Sequence, residues 1–149
     1  MAQGSLKVFD YVAFNAGKQL YNHATDTFKY ALITDAYSTV DKATVEASLS
    51  SFTEVSAGGN YSAGGNALTG NAWTIAGGIS KLDFTDISLS KSAGSPTTAK
   101  TLLIINSTVG SDCYAAVQLG AADGDAVDLV NNDLTLTFNA NGAYNVTVT

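Results

Sequence analysis

A chain of 149 residues has the length of one domain, so the sequence predicts a single domain over residues 1–149. Hydrophobic residues make up 46% of the chain and charged residues only 13%, which excludes a disordered, highly charged polypeptide. The formal net charge is -6 and all basic residues are lysines, so a nucleic-acid partner, which requires a basic surface, is not expected.

The start of the chain and its cysteine content restrict the class of protein further. Residues 1–5 lack a basic region followed by an apolar stretch, and no later segment approaches the ~18 apolar residues of a membrane span. We therefore expect no signal peptide and no membrane association. The single cysteine, Cys113, excludes an intrachain disulfide and a cysteine-based zinc site, and we expect it to be a small buried hydrophobe.

The first predicted element is an amphipathic helix over about residues 6–22. Its apolar residues recur at helical spacing: Phe9, Val12, Ala13, Ala16 and Leu20. Gly17 weakens the second half, because an interior glycine costs about 1 kcal/mol relative to alanine. His23, the only histidine, would follow the helix and bond its last carbonyl groups, since it has no partner for catalysis.

The next segments change from helical to strand-like patterns. Residues 27–34 alternate apolar and polar side chains and predict a strand. Residues 41–49 are compatible with either a short capped helix or a long loop.

From residue 66 onward the sequence predicts strands almost exclusively. The runs are 67–69, 73–76, 81–90, 100–107, 113–119, 126–130, 134–139 and 144–148, with turn-forming residues between them. The predicted fold class is therefore mainly β, an antiparallel β-sandwich or jelly-roll-like barrel with one N-terminal α-helix. Asn141 and Gly142 predict a hairpin over 134–148, and the apolar run 102–105 suits a strand covered on both faces.

The sequence offers no convincing catalytic residues, so we expect neither an enzyme nor a cofactor. Ser88 and Lys91 match S-x-x-K, but the companion motifs of that enzyme class are missing. Asp83 and Asp86 have an odd separation within a predicted strand, which directs them to opposite faces and prevents them from sharing a proton.

The acidic segment 122–128 is the candidate for metal binding. Asp123, Asp125 and Asp128 could hold Ca²⁺, but their spacing departs from the EF-hand pattern and the distal Glu is absent. A solvated acidic turn is the favoured interpretation, and no metal is expected.

Residues 57–60 and 63–66 both read A-G-G-N. No lysine or arginine lies within this segment and no strand leads into it, which argues against a phosphate-binding loop. Paired glycines instead favour a tight turn. We predict a contact loop at Gly58, Gly59, Asn60, Tyr61, Gly64 and Gly65.

In order along the chain, a D-T-F-K-Y-A-L-I-T strand, an F-T-E-V stretch, Y-S-A-G-G and the end 134–148 follow the predicted helix. This order resembles a family of small virion proteins of tailed bacteriophages, although residues 77–96 match none of its motifs. The resemblance implies a virion structural protein without catalytic residues. The implied function is that of a capsid decoration or cement protein bound to the outside of the major capsid protein lattice.

The resemblance leaves a tail or fibre component, including a carbohydrate-binding module, as the alternative. Trp73, Tyr61, Tyr114 and Tyr144 could stack on sugars, although core positions are the favoured interpretation of these side chains. On a capsid, self-association should follow the local symmetry, with a trimer preferred and a monomer as the alternative. The expected location is the virion, assembled in the bacterial cytoplasm.

Overall fold

Ten strands and one seven-residue α-helix form most of the regular structure in residues 3–147, the part of the chain that the computed structural model describes. The helix is α1 (Tyr11–Gly17), and two 3-10 turns span Tyr37–Thr39 and Leu49–Ser51. The strands are β1 (Leu6–Val8), β2 (Phe28–Ile33), β3 (Asn66–Leu68), β4 (Ala72–Ala76), β5 (Ile79–Asp83), β6 (Ile87–Leu89), β7 (Thr101–Asn106), β8 (Asp112–Gln118), β9 (Leu134–Leu136) and β10 (Tyr144–Thr147). The prediction of a mainly β protein with one helix is confirmed.

A five-stranded sheet of order β1-β8-β7-β2-β3 contains the centre of the core. Every residue of β7 is buried, and so are all residues of β8 after Asp112. The uninterrupted apolar run of β7 is explained by this position, because a strand covered on both faces has no solvent side for polar residues. The prediction for 102–105 is confirmed.

Two smaller sheets, β10-β5-β4 and β6-β9, complete the strand pairing. All strand pairs are antiparallel. Within residues 3–147 each sheet is open, with an edge strand at either end, so the closed form of the predicted fold is not seen.

The predicted helix over 6–22 is wrong at both ends. Leu6–Val8 forms β1 and pairs with β8, Leu6 opposite Val117. Residues 6–8 alternate between half-buried and exposed, a period-two pattern that the helical spacing of the later residues had obscured. The helix ends at Gly17, and Gln19 then adopts a positive φ of 61°.

Segment 41–49 forms no α-helix: residues 41–48 are a loop, and Leu49 begins the second 3-10 turn. The Asp41 carboxylate accepts hydrogen bonds from the backbone N–H groups of Ala43 and Thr44, both at 2.9 Å. A short acidic side chain that bonds the backbone two and three residues later stabilises a turn. Of the two alternatives for this segment, the structure has the loop.

The predicted hairpin over 134–148 is also wrong. β9 pairs with β6, and β10 pairs with β5, so the two segments belong to different sheets. The turn at Asn141 and Gly142 does form, with Gly142 at φ 71°. Ala143 then donates its N–H to the Leu82 carbonyl at 2.9 Å, which directs the chain along β5 instead of back along β9. Residue 148 lies outside the described residues.

Two other strand predictions change. The run 81–90 splits into β5 and β6, which lie in different sheets. Asp86, within the break, accepts a hydrogen bond from the Phe138 N–H at 2.9 Å. Segment 126–130 makes one isolated bridge, Val127 to Ala99, and no strand. The Asp128 carboxylate accepts a bond from the Val130 N–H at 2.9 Å, which favours a turn there.

Candidate functional site

The doubled glycine segment is held against β2 by Tyr61. This side chain is 3% exposed, and its hydroxyl donates to Glu54 Oε1 at 2.6 Å while accepting a bond from the Leu32 N–H at 2.9 Å. Glu54 Oε1 also accepts a bond from the Gly64 N–H at 2.8 Å. Burial raises the pKa of Tyr61, so its hydroxyl remains protonated and able to donate. The turn is therefore fixed from inside by a buried polar network.

The glycines of this segment have distinct structural roles. Gly65 has φ +84°, and a Cβ there would lie 2.6 Å from the Tyr30 carbonyl oxygen. Gly58 and Gly59 approach the backbone of Gly94 and Ser95 too closely for a side chain. Three of the glycines are thus required by packing, as the turn interpretation implies.

Only part of the predicted contact loop reaches solvent. Gly59 and Asn60 are exposed, Gly58 and Gly64 are half-buried, and Tyr61 and Gly65 are buried. The Asn60 side chain donates from Nδ2 to the Ser90 carbonyl at 2.9 Å, which orders the exposed end. A partner could contact this loop through the end at Gly59 and Asn60 and through the other exposed residues of the segment, 57, 62 and 63.

The acidic segment 122–128 does not gather its carboxylates into one group. Asp123 bonds the backbone and side chain of Ser38, Asp125 accepts from the Ala122 N–H, and Asp128 bonds Asn131. These hydrogen bonds hold the pKa of Asp123 and of Asp128 below the usual aspartate range. Within residues 3–147 no three His, Cys, Asp or Glu side chains are grouped to hold a metal ion.

His23 lies in an aromatic cluster, and its predicted role at a helix end is wrong because the helix stops at Gly17. Its ring stacks on Trp73 with centroids 4.7 Å apart, and Tyr144 and Tyr114 lie at 5.4 and 5.7 Å. His23 Nε2 is buried without a hydrogen-bond partner among the described residues. Burial lowers the pKa of His23, and the negative charge of Asp26 opposes that shift.

The four aromatic residues predicted as possible sugar-stacking faces differ in exposure. Tyr61 and Tyr114 are buried and belong to the core, while Tyr144 is half-buried. Trp73 is 37% exposed and borders a cleft of about 460 Å³ whose walls also include Gln19 and Asn22. Of these four rings, Trp73 is the one with the most access to a ligand.

The residues singled out for chemistry lie apart and have structural partners. Burial raises the pKa of the Cys113 thiol to about 12, so the reactive thiolate is disfavoured. Asp83 lies 3.5 Å from Lys81 in a salt bridge, and Asp86 bonds the Phe138 N–H. Neither aspartate is arranged for proton transfer to the other.

Among residues 3–147, the large apolar side chain with the highest exposure lies on β4, an edge strand whose exposure the sequence did not predict. All five residues of β4 are exposed, and Ile75 reaches 73%. The register places Ile75 on the same face as Ser80 and Val146, beyond the position of buried Leu82. The β4–β5 hairpin therefore projects past the core. The apolar, uncharged sequence of β4 predicts a strand. It does not predict that the strand lies at the edge of a sheet, because that depends on which strands pair.

A second groove of about 490 Å³ runs between β1 and residues 136–145. The groove lies where β9 and β10 separate to join different sheets. It would be absent if the two strands paired with each other as the predicted hairpin.

Comparisons of the chain with protein-family models, curated proteins and solved structures found no match. Among residues 3–147, no helix has the length and apolar character needed to cross a membrane.

Proposed function

We propose that this protein is a structural component of a tailed-bacteriophage virion, a capsid decoration protein that binds the outer surface of the major capsid protein lattice and stabilises the head. In this proposal it is not an enzyme and uses no cofactor. The function rests on the resemblance of its ordered motifs to small phage virion proteins.

One observation supports treating those motifs as parts of a single scaffold. The D-T-F-K-Y-A-L-I-T strand, the F-T-E-V stretch and the Y-S-A-G-G turn are separated along the chain but bond to one another. Tyr61 bonds Leu32 and Glu54, and Glu54 forms a bridge with Ile33. Gly65 packs directly on the Tyr30 carbonyl. The three motifs therefore form one structural unit through these contacts. This is expected if they belong to one scaffold that is shared by a family.

The proposed architecture is a β-sandwich in which the smaller sheets and loops cover the five-stranded sheet. Burial of β7 on both faces favours such layering. A domain of this kind can stabilise a shell through many weak contacts. If it binds the assembled lattice but not the dissociated capsid subunits, its binding shifts the equilibrium toward the assembled shell.

Add-back to heads lacking this protein tests the function. Purified protein should bind such heads to saturation and raise the temperature at which they disassemble. Binding to isolated tails, with no binding to heads, would contradict the proposal.

The contribution of the glycine turn is tested with a matched pair of variants. Ala63→Arg changes an exposed residue of the turn, and Ala121→Arg makes the same change at an exposed residue of a different turn. If the glycine turn is the contact, only Ala63→Arg weakens binding to heads.

The alternative function, a tail or fibre component with a carbohydrate-binding surface, is favoured by the cleft beside Trp73. An exposed indole next to the amide side chains of Gln19 and Asn22 has the composition of a sugar-binding site. A glycan array that shows binding, lost in Gln19→Ala, would support this alternative. An array without signal would remove it.

A further inference from the structure

We propose that β4 pairs with β4 of a second copy of this chain, antiparallel about a two-fold axis at Thr74. The two three-stranded sheets would then join into one six-stranded sheet. This inference rests on the edge strand alone and does not depend on the proposed function. It replaces the trimer expected from lattice symmetry with a two-fold dimer.

The first argument is that β4 lacks the features that protect edge strands. Natural edges are shielded by lysine, proline, bulges or very short length. The sequence of β4 is A-W-T-I-A, without charge or proline, and its pairing with β5 is regular over all five residues. The edge strands of the five-stranded sheet, β1 and β3, have three residues each.

The second argument is the direction of the free backbone groups. Gly77 and Gly78 form a two-residue turn with φ of 57° and 78°, so Ala76 and Ile79 close the hairpin as a hydrogen-bonded pair. Hydrogen-bonded pairs alternate along an antiparallel ladder, which directs the N–H and C=O groups of Trp73 and Ile75 away from β5. A two-fold axis at Thr74 pairs Trp73 of each copy with Ile75 of the other and satisfies all of these groups.

The third argument is that the strand is complementary to itself. About Thr74 the sequence is symmetric in residue class, since Trp73 faces Ile75 and Ala72 faces Ala76 across the axis. Aromatic residues opposite β-branched ones, and threonine opposite threonine, are pairs that stabilise neighbouring strands. No charged side chains oppose each other in this register.

Charge at the strand itself does not oppose a second copy. The chain carries a formal net charge of -6, yet the strand that would form the contact is neutral. The cation on the adjacent strand β5 is Lys81, which is opposite Thr74, lies 3.5 Å from Asp83 and donates to the Ala140 carbonyl. Across the joined sheet the two copies of Lys81 would lie about 14 Å apart, three strand spacings, which exceeds the screening length of about 8 Å at physiological salt.

The contact is small, so the dimer should be weak. Stable interfaces bury about 1,200–2,000 Å² in total, and a pair of five-residue strands buries less than this. We expect association in concentrated solution, in the range from tens of micromolar to millimolar.

Disulfide trapping tests the register directly. Thr74→Cys places its thiols opposite each other at the axis, with Cα atoms about 4.5 Å apart, within the range that a disulfide spans. Ala72→Cys is the matched control on the same exposed strand, because its two copies would lie about 14 Å apart along the sheet. Native Cys113 is buried and should not compete.

Under mild oxidation we expect a disulfide-linked dimer from Thr74→Cys at least tenfold faster than from Ala72→Cys. Equal rates, or no dimer from Thr74→Cys at millimolar protein, would overturn the proposal.

Sedimentation equilibrium provides a measurement that needs no cysteine. The unmodified protein should show a concentration-dependent dimer that Ile75→Lys abolishes. Thr147→Lys, an exposed position on β10 at the opposite edge of the same sheet, should leave the dimer unchanged. A monomer at all concentrations, a trimer, or a dimer that persists in Ile75→Lys would contradict pairing through β4.

Discussion

At the scale of single residues, similar glycines in one repeated motif serve different purposes. Gly64 and Gly65 both have positive φ, but a Cβ at Gly64 would meet open space, whereas one at Gly65 would meet the Tyr30 carbonyl. The sequence predicts that a glycine pair makes a turn, because glycine tolerates positive φ. It does not predict which glycine touches a neighbouring strand, since that depends on long-range packing.

We therefore predict unequal effects of alanine at these two positions. Gly64→Ala should lower the free energy of unfolding by about 1–2 kcal/mol, the cost of a left-handed conformation. Gly65→Ala should lower it by about 2–4 kcal/mol, because the backbone contact adds to that cost. Urea denaturation of both variants measures the difference, and equal destabilisation would argue against the close packing of Gly65 on β2.

His23 predicts a specific pH dependence of stability. Its pKa is lowered in the fold by burial, so the unfolded chain binds a proton more readily than the folded chain. The stability from neutral His23 is fully present above the unfolded pKa of about 6.5 and is lost as the pH falls below it toward the folded value.

The matched variant His23→Phe keeps an aromatic ring in the cluster but cannot be protonated. Between pH 7.5 and 5, unmodified protein should lose more stability than His23→Phe, as measured by urea denaturation at each pH. The carboxylates titrate in both proteins and cancel in the comparison. Parallel pH profiles would show that His23 is not buried in its neutral form.

At the scale of elements, local patterns predicted strands well and their partners poorly. Strands β2 and β7 were predicted because alternation and an apolar run are local signals. The predicted hairpin at 134–148 was wrong because a turn at Asn141 and Gly142 allows the following strand to pair with different neighbours. Ala143 bonds Leu82, which is far away in sequence. The same limitation hid the exposed edge at β4. The contact loop was located as a turn, but Tyr61 and Gly65 proved to be its buried support.

Hydrogen exchange tests this hierarchy of elements. Amides of β7 should exchange only through global unfolding, because β7 is buried and paired on both sides. Amides of Trp73 and Ile75 should exchange much faster than those of β7, measured by NMR in dilute, monomeric protein. Equal protection of β4 and β7 would contradict an open edge at β4.

At the scale of the whole molecule, the described residues share one buried core with turns at its surface. One connected cluster of buried residues extends from Phe9 near the start of the chain to Ala143 near its end. Cys113 belongs to that cluster, and His23 is buried with its ring against Tyr114, a member of the cluster. The proposed function assigns this domain a role in binding and assembly on the capsid.

The most direct test of that claim is the position of this protein in an intact virion, determined by cryo-electron microscopy of particles with and without it. We predict difference density on the outside of the head, repeated with the symmetry of the capsid lattice and fitted by this fold. Density confined to the tail or fibres, with none on the head, would contradict a capsid decoration protein.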